Sequence, residues 1–281
     1  MARRATPRPV FDQPHVVTSE NVTRHLWGDA ESGYVGDEVL LSTDTLHALV
    51  FTLPPGGRFG HSPDNRTVFA ADEVYVVLEG TIGVIDPAIG QVVRARAGDG
   101  VFFRRDTWHH GVNWGPGPVR VLEFFSPPPA TGASSVYAKT VPYLEEPLHA
   151  NDDILGNWPM GRAAIEDKDS LQLIEDRDLR WRSEGTLQVG LMCSTEHLTV
   201  AQVHLLPGTA SATRKHAGDG LLHVTSGEVH VHTPDADAGT WWRVRTGESI
   251  VIPEGFAYRL VNQSADTVTL ISGSAPGYLS D

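Results

Sequence analysis

Two adjacent histidines, His109 and His110, stand within the segment FFRRDTWHHGVNWG, which runs from Phe102 to Gly115. Neutral imidazole is a common protein ligand of transition metals, so this pair could hold an ion. Successive side chains of a strand point to opposite faces, so the two histidines would not serve one site from an extended backbone. If His109 faces inward, Asn113 shares its face and His110 faces outward. The alternative for His109 is a hydrogen-bonded histidine of the core.

A carboxylate in a similar setting is Glu73, near the start of the apolar run DEVYVVLEG. Strand alternation would turn Tyr75 and Val77 toward whatever Glu73 faces. Glu73 can be a ligand or simply a charged residue at a strand end, and both interpretations stay open. The histidines of the HVH segment, His230–His232, share one face of a strand, which is more typical of an exposed face than of a metal site.

These residues belong to a chain that repeats itself. Ser42–Gly56 (STDTLHALVFTLPPG) aligns without a gap with Ser194–Gly208 (STEHLTVAQVHLLPG). Two further blocks follow in the same order, and in the last of them Asn113 falls on Asn262. Each copy consists of short runs of β-branched and aromatic residues bounded by Gly, Pro and Asp, a pattern typical of strands joined by turns.

The repeat predicts two β domains that position these side chains. We expect a flexible N-terminal tail at residues 1–20, a first β domain at 21–127, a linker at 128–185 and a second β domain at 186–281. The linker has few strand patterns, and we expect helix within its segment Ala163–Leu179.

Composition limits the function classes. The 281 residues include 22 Lys and Arg against 35 Asp and Glu, a net charge of −13, which argues against a nucleic-acid-binding surface. The single cysteine, Cys193, excludes an internal disulfide. No apolar run approaches the roughly 20 residues of a membrane span, and no apolar stretch follows the basic start as a secretory signal requires. We therefore expect a cytoplasmic protein.

The first copy resembles the two motifs of the cupin superfamily, and the repeat resembles a bicupin. The resemblance runs from LPPGGRFGHSPDNRTVFAADEVYVVLEG through GDGVFFRRDTWHHGVNWG. Glu73 is followed by six residues and a glycine, and Gly98 by five residues and Arg104, where the family often has proline. His109 precedes Asn113 with the spacing of the second motif. The resemblance implies an all-β fold of two tandem jelly-roll barrels (double-stranded β-helices) joined by a partly helical linker.

The resemblance also implies a metal site in the first copy, with His61, Glu73 and His109 as ligands and further positions open. The family usually offers a His-x-His pair, but Ser and Pro follow His61 here. We expect one divalent ion per chain, Fe(II) in the first place, with Mn, Ni, Zn and Co as alternatives. Three side chains are candidate extra ligands: His47, Asp64 and His110.

In the second copy the motif is degraded. Gly220 stands where the resemblance implies the glutamate and Tyr258 where it implies the second-motif histidine, while His216 remains at a first-motif histidine position. We expect the second barrel to be mainly structural.

Several residues near the first site could contact a substrate. Arg104, which replaces the motif proline, is our first candidate to pair with a substrate carboxylate, and Arg58 is another. A solvated surface is the alternative for both. Trp108 and Tyr75 would line the site, with core packing as the alternative. The residues we expect to take part in catalysis are Glu73, Tyr75 and Arg104.

Two imidazoles and one carboxylate with open positions are the ligand set of non-haem Fe(II) oxygenases. The first prediction is therefore an Fe(II) dioxygenase that acts on a small anionic organic substrate with O2. An oxygen-independent isomerase, lyase or decarboxylase is the second hypothesis, and a non-catalytic ligand-binding or regulatory protein is the third. Resemblance to bicupins also predicts a homodimer, with neither nucleic acid nor membrane as a partner.

Overall fold

The computed structural model describes residues 6–30, 32–60, 67–69, 71–87, 90–103, 107, 109–126, 138–140, 171–195, 197–237 and 239–275. Within these ranges the chain forms antiparallel β-sheets and one short 3-10 helix. No helix in the described ranges is long and apolar enough to cross a membrane.

The first barrel consists of a large and a small sheet that face each other. The large sheet has the strand order β14-β10-β7-β12-β4-β3-β2 and the small sheet the order β5-β11-β8-β9, and β13 pairs separately with β6. Their bounds are β2 (Thr23–Asp29), β3 (Gly33–Ser42), β4 (His47–Leu53), β5 (Arg58–Phe59), β6 (Thr67–Phe69), β7 (Asp72–Glu79), β8 (Thr81–Asp86), β9 (Gln91–Arg96), β10 (Gly100–Phe103), β11 (His110–Asn113), β12 (Val119–Ser126), β13 (Ala138–Thr140) and β14 (Leu171–Ile174).

The second barrel repeats this plan. Its large sheet has the order β1-β22-β19-β24-β17-β16-β15 and its small sheet the order β18-β23-β20-β21. The bounds are β1 (His15–Val17), β15 (Arg180–Glu184), β16 (Leu187–Ser194), β17 (Thr199–Leu205), β18 (Arg214–Lys215), β19 (Asp219–Ser226), β20 (Glu228–His232), β21 (Trp241–Arg245), β22 (Ser249–Ile252), β23 (Ala257–Val261) and β24 (Val268–Ala275). The predicted all-β fold of two tandem barrels is confirmed.

The two barrels exchange edge strands. Strand β1, from the start of the chain, pairs with β22 of the second barrel, and β14, from the linker, pairs with β10 of the first. The sequence predicts a flexible tail over residues 1–20, but within it residues 15–17 form β1. The open edge of β22 offers them a backbone partner, and Val17 is buried against the core between the barrels.

The predicted helix in the linker is not seen where the linker is described. Leu171–Ile174 is strand β14, and the only helical turn there is the 3-10 helix Asp176–Asp178. Pairing with β10 outweighs the weak helical preference of this short segment. The rest of the predicted helix, residues 163–170, lies outside the described residues.

Each barrel has an apolar interior, and a third apolar cluster fills the interface between the barrels. Strand β7 serves two clusters, because Val74 and Val76 face the interface while Tyr75 and Val77 face the first barrel's interior. The interface is tight: a Cβ on Gly273 would lie 2.2 Å from the Phe124 ring. The large sheets therefore pack face to face, each with its other face toward its own interior.

Hydrogen bonds across the interface join the two halves. Thr195 Oγ1 donates to Asp72 Oδ2 at 2.6 Å, and Thr45 Oγ1 donates to Asp219 Oδ2 at 2.9 Å. The two carboxylates occupy equivalent positions, at the starts of β7 and β19. Each barrel thus contributes one hydroxyl and one carboxylate to the interface.

Candidate functional site

Glu73 lies on β7 in the interior of the first barrel and is 4% exposed. Its neighbours across the sheet are Phe103 on β10 and Phe125 on β12. Since both flanking side chains are apolar, the hydrogen-bonding partners of the carboxyl group must come from elsewhere in the interior.

His109 supplies one such group from the opposite sheet, directly before β11. Its side chain is buried, and its Nε2 lies 3.5 Å from Glu73 Oε1 and 3.0 Å from the Tyr75 hydroxyl. Glu73 Oε1 has no hydrogen-bond partner among the described residues. A carboxylate, an imidazole and a phenol thus converge on one point inside the barrel.

Aromatic rings surround this point. The centroids of the Phe103, Tyr75 and Phe59 rings lie 4.3, 5.7 and 6.0 Å from that of His109. The Phe51 ring lies 5.1 Å from that of Tyr75. Such an environment excludes water and strengthens electrostatic interactions at the convergent polar groups.

Two further acidic residues line the interior, and neither is among the site residues predicted from the sequence. Glu123 on β12 is the cross-strand partner of Tyr75, is 8% exposed, and forms a side-chain hydrogen bond with Glu73. Asp37 on β3 is also buried, opposite Phe51 on β4. An acidic residue within the otherwise apolar run VLEFF was the available signal for Glu123.

Burial changes the protonation of these groups. Desolvation raises the pKa of Glu73 to about 8, against the opposing effect of its hydrogen bonds with Glu123 and Tyr75. Desolvation, together with the charges of Glu73 and Asp37, holds the pKa of Glu123 well above its usual range. Desolvation also raises the pKa of Asp37 to about 7. Burial therefore favours the neutral form of all three carboxyl groups.

Glu73 and His109 fit two ligand positions of a divalent ion. Their donor atoms are of the types that transition metals bind, both side chains are buried, and one carboxylate oxygen has no hydrogen bond. No three His, Cys, Asp or Glu side chains of the described residues are close enough together to form a complete site. The predicted ligand His61 and the candidate ligand Asp64 lie outside the described residues, as do Arg104 and Trp108.

Three other predicted site residues lie away from this point. Arg58 is exposed on β5, and its neighbour Phe59 packs against the interior. His110 is half-buried and pairs with Ile85, on the strand face opposite to that of His109. His47 is buried, but Phe125 stands between it and Glu73 in the sheet.

The second barrel lacks this arrangement. Gly220 on β19 pairs with Ile252 on β22 and Ser274 on β24. These two residues are the equivalents of Phe103 and Phe125, the neighbours of Glu73, so Gly220 occupies the position of the glutamate. His216 Nε2 lies 2.7 Å from the Tyr258 hydroxyl, and a Cβ on Gly220 would lie 3.2 Å from the His216 ring. The His216 ring therefore takes up space that a longer side chain at Gly220 would need.

One polar residue is the same in both barrels. Asn113 Nδ2 lies within 3.1 Å of the carbonyl oxygens of Leu53, Pro54 and Gly117, and its Oδ1 accepts the Gly115 N–H. Asn262 makes the equivalent contacts, with the carbonyls of Leu205, Leu206 and Asp266 and the N–H of Ser264. The motif asparagine is therefore a structural residue that closes a turn against the end of a neighbouring strand.

Comparison with known proteins supports the fold on independent grounds. The chain is similar to a putative glyoxylate-induced protein from Pseudomonas aeruginosa, with a TM-score of 0.65, 13% identity, and coverage of 100% of this chain and 96% of the other. It is also similar to Bacillus subtilis oxalate decarboxylase at pH 4.6, with a TM-score of 0.61, 14% identity, and coverage of 99% and 78%.

A third similar structure is the formate complex of Lactobacillus farciminis oxalate decarboxylase, with a TM-score of 0.60, 14% identity, and coverage of 96% and 88%. At such identities these likenesses concern the fold alone. No curated protein matches the sequence. The sequence model described as "Cupin domain" matches residues 49–125 and again residues 201–273, which together are more than half of the chain. With one match in each barrel, the chain belongs to the cupin family and has the bicupin arrangement.

Proposed function

We propose that the N-terminal barrel is the centre of a metal-dependent enzyme and that the C-terminal barrel is structural. The observation that carries this proposal is the convergence of Glu73, His109 and Tyr75 inside an aromatic interior. Buried polar groups in this number cost stability unless they are paired or bind something. Their replacement in the second barrel, where the scaffold is the same, argues that the fold does not require them.

Glu73 and His109 would hold the ion, with His61 as the third ligand. A bound divalent ion would polarise a carbonyl or carboxylate oxygen of the substrate. The surrounding rings of Phe51, Phe59 and Phe103 would exclude water. The Tyr75 hydroxyl, 3.0 Å from His109 Nε2, would orient the imidazole and could hold a proton near the substrate.

Among the three hypotheses from the sequence, the described interior favours an oxygen-independent lyase, decarboxylase or isomerase. Such reactions need groups that give and take protons in a dry site, and the side chains of Tyr75 and Glu123 are buried groups that can carry a proton. The substrate class we propose is a small carboxylic or keto acid. The prediction of an anionic substrate rests on Arg104, and two of the similar structures are oxalate decarboxylases by name.

The Fe(II) dioxygenase remains a second candidate, because an imidazole and a carboxylate in one buried site are shared with that class. The two reactions differ in their need for O2. Turnover of a panel of small keto and dicarboxylic acids by Mn(II)- and Fe(II)-loaded protein, in air and under strict anaerobiosis, separates them. Equal turnover without oxygen supports the first reaction, and turnover that stops without oxygen supports the second.

The control is the pair of variants Glu73→Ala, in the proposed site, and Tyr258→Phe, at the position equivalent to His109 in the second barrel. We expect activity and bound metal to be lost in the first and kept in the second. Full activity of a metal-free Glu73→Ala protein would contradict the proposal. Tight binding of a small acid without product over long incubation would favour the non-catalytic hypothesis.

A further inference from the structure

Glu123 has no counterpart in the ligand set implied by the cupin motifs, yet its side chain contacts that set. We propose that Glu123 is a positioning residue of the ion site, which holds the Glu73 carboxyl group toward His109 through their shared hydrogen bond. This inference rests on the proposed function, in that it takes Glu73 and His109 as ligands of the ion.

The strand register brings the two carboxyl groups together. Glu123 on β12 pairs with Tyr75 on β7, and Phe125 pairs with Glu73, so Glu123 is a diagonal neighbour of Glu73 on the same interior face. Long side chains reach each other across such a diagonal. The register therefore places the two side chains within hydrogen-bonding reach of each other.

Few other groups could orient Glu73. Its direct cross-strand neighbours are the rings of Phe103 and Phe125, which offer no strong hydrogen bonds. Oε1 lies toward His109 and has no hydrogen-bond partner among the described residues. The hydrogen bonds to the carboxyl group from within the described barrel come from Glu123 and Tyr75, and the Tyr75 hydroxyl is also bound to His109.

The internal repeat supports a functional rather than a structural role. Ser272 on β24 occupies the position of Glu123, because it pairs with Leu222 on β19 as Glu123 pairs with Tyr75. The second barrel has therefore lost the glutamate of β12 together with the motif glutamate, although β24 is otherwise buried like β12. A glutamate needed only to build the barrel would be needed in both copies, as Asn113 and Asn262 are.

The test is Mn(II) affinity of the metal-free full-length protein, followed by electron paramagnetic resonance of free Mn(II), with the visible spectrum of the Co(II) form as a second readout. Glu123→Leu keeps the volume but removes the hydrogen bond. We expect it to bind Mn(II) about 10- to 100-fold more weakly, the range for loss of a residue that orients a metal ligand. We also expect a changed Co(II) spectrum, which a merely structural role would not produce.

Glu123→Gln can still donate a hydrogen bond to the Glu73 carboxylate, so we expect its affinity within about threefold of the original. Glu123→Ser, which introduces the residue of the second barrel, should resemble Glu123→Leu and gives a second measurement if the leucine variant fails to fold. Asp37→Asn is the matched control, because Asp37 is a buried carboxyl group of the same interior that makes no hydrogen bond to Glu73. We expect its Mn(II) affinity to be unchanged.

Failure of this inference can be told from failure of the proposed function. If Glu123→Leu and Glu123→Ser bind Mn(II) within twofold of the original while Glu73→Ala does not bind, the ion site stands and the role of Glu123 is refuted. If the original protein binds no divalent ion, the proposed function fails and the role of Glu123 fails with it.

Discussion

The two barrels share a scaffold and differ in what they enclose. Both have a seven-stranded and a four-stranded sheet, the same strand order and a turn held by the same asparagine. At five interior positions the first barrel has acidic, histidine or tyrosine side chains, and only one of the equivalent positions in the second barrel, that of Tyr258, keeps an ionisable residue. The positions are Asp37, Glu73, Tyr75, His109 and Glu123 in the first, and Val189, Gly220, Leu222, Tyr258 and Ser272 in the second.

This comparison separates two kinds of buried polar residue. Asn113 and Asn262 satisfy backbone groups and occur in both barrels, so their role is tied to the fold. The carboxyl groups of Asp37, Glu73 and Glu123 have no counterpart at the equivalent positions of the second barrel. The side chains of Glu73, Tyr75 and His109 lie close to one another. The fold is therefore compatible with either interior, and the ionisable one calls for a functional explanation.

The largest expected effect concerns ion binding. Glu73→Ala should weaken Mn(II) or Fe(II) binding by more than about 100-fold. Loss of a residue that only orients a metal ligand already lowers metal affinity by about 10- to 100-fold, and Glu73 would be a ligand itself. Tyr258→Phe, at the position equivalent to His109, should leave the affinity unchanged. Metal content by mass spectrometry, on protein purified without chelators, measures both. Loss of metal from the tyrosine variant alone would invert the assignment of the two barrels.

The second test asks whether the shared asparagines are equally important. Asn113→Ala and Asn262→Ala each leave several buried carbonyl groups and one N–H without their partner. We expect each to lower the free energy of unfolding by about 3 kcal/mol, the size of a buried hydrogen-bond loss. Urea unfolding measures both. A large loss of free energy of unfolding in one variant and none in the other would show that the two asparagines are not structurally equivalent.

The third test uses a difference on the interface face of the large sheets. His223 on β19 occupies the position of Val76 on β7. Burial, and to a lesser extent the charge of Arg120, lowers the pKa of His223 to about 4. The unfolded chain then binds more protons than the folded one between about pH 6.5 and pH 4, so stability falls as pH falls through this window.

Relative to pH 7.5, this histidine should cost about 2 kcal/mol of stability at pH 5. His223→Val should remove that part of the acid sensitivity and leave the part due to His47, whose pKa is also lowered to about 4 by burial. Urea unfolding of both proteins at the two pH values gives the difference. An unchanged pH dependence would show that His223 is accessible to protons in the folded state.

The smallest effect is expected at the hydrogen bonds between the barrels. Thr45→Val removes the hydroxyl that donates to Asp219, whose other oxygen still accepts the Glu254 N–H. Thr195→Val removes the hydroxyl that donates to Asp72 and also accepts the N–H groups of residues 197 and 198. We expect Thr45→Val to lower the free energy of unfolding by about 1 kcal/mol and Thr195→Val to lower it by more. Equal losses in urea unfolding would show that the interface bond alone matters.

The fold could be predicted from the sequence because the repeat and the turn residues are local signals. The direction in which the Glu123 side chain points could not be predicted from the sequence. Strand β12 is buried on both faces, one toward the barrel interior and one toward the other barrel, so the residues on either side of Glu123 are apolar and show no alternation. Which face of the strand Glu123 occupies becomes clear only from its pairing with Tyr75 on β7.

The linker shows a second reason for failure. Leu171–Ile174 carries no strong strand signal, and its conformation is decided by the edge of β10, a partner about 70 residues earlier in the chain. The N-terminal strand β1 is a similar case, since its partner β22 lies at the far end of the sequence. Long-range pairing of this kind leaves no local pattern in the sequence. Glu73 and His109, in contrast, each stand in a motif whose residue spacing can be read directly from the sequence.

The exchanged edge strands also determine the order in which the protein can be completed during synthesis. His15 pairs with Val251, so during synthesis β1 waits for more than 200 further residues before its partner exists. Residues that pair at such separation lose more chain entropy on pairing, and topologies rich in such pairs fold more slowly. The first barrel must likewise wait for β14 before its large sheet is complete. A nascent chain that ends before β14 therefore leaves the edge of β10 unpaired, and β1 stays without its partner strand until β22 of the second barrel has been made.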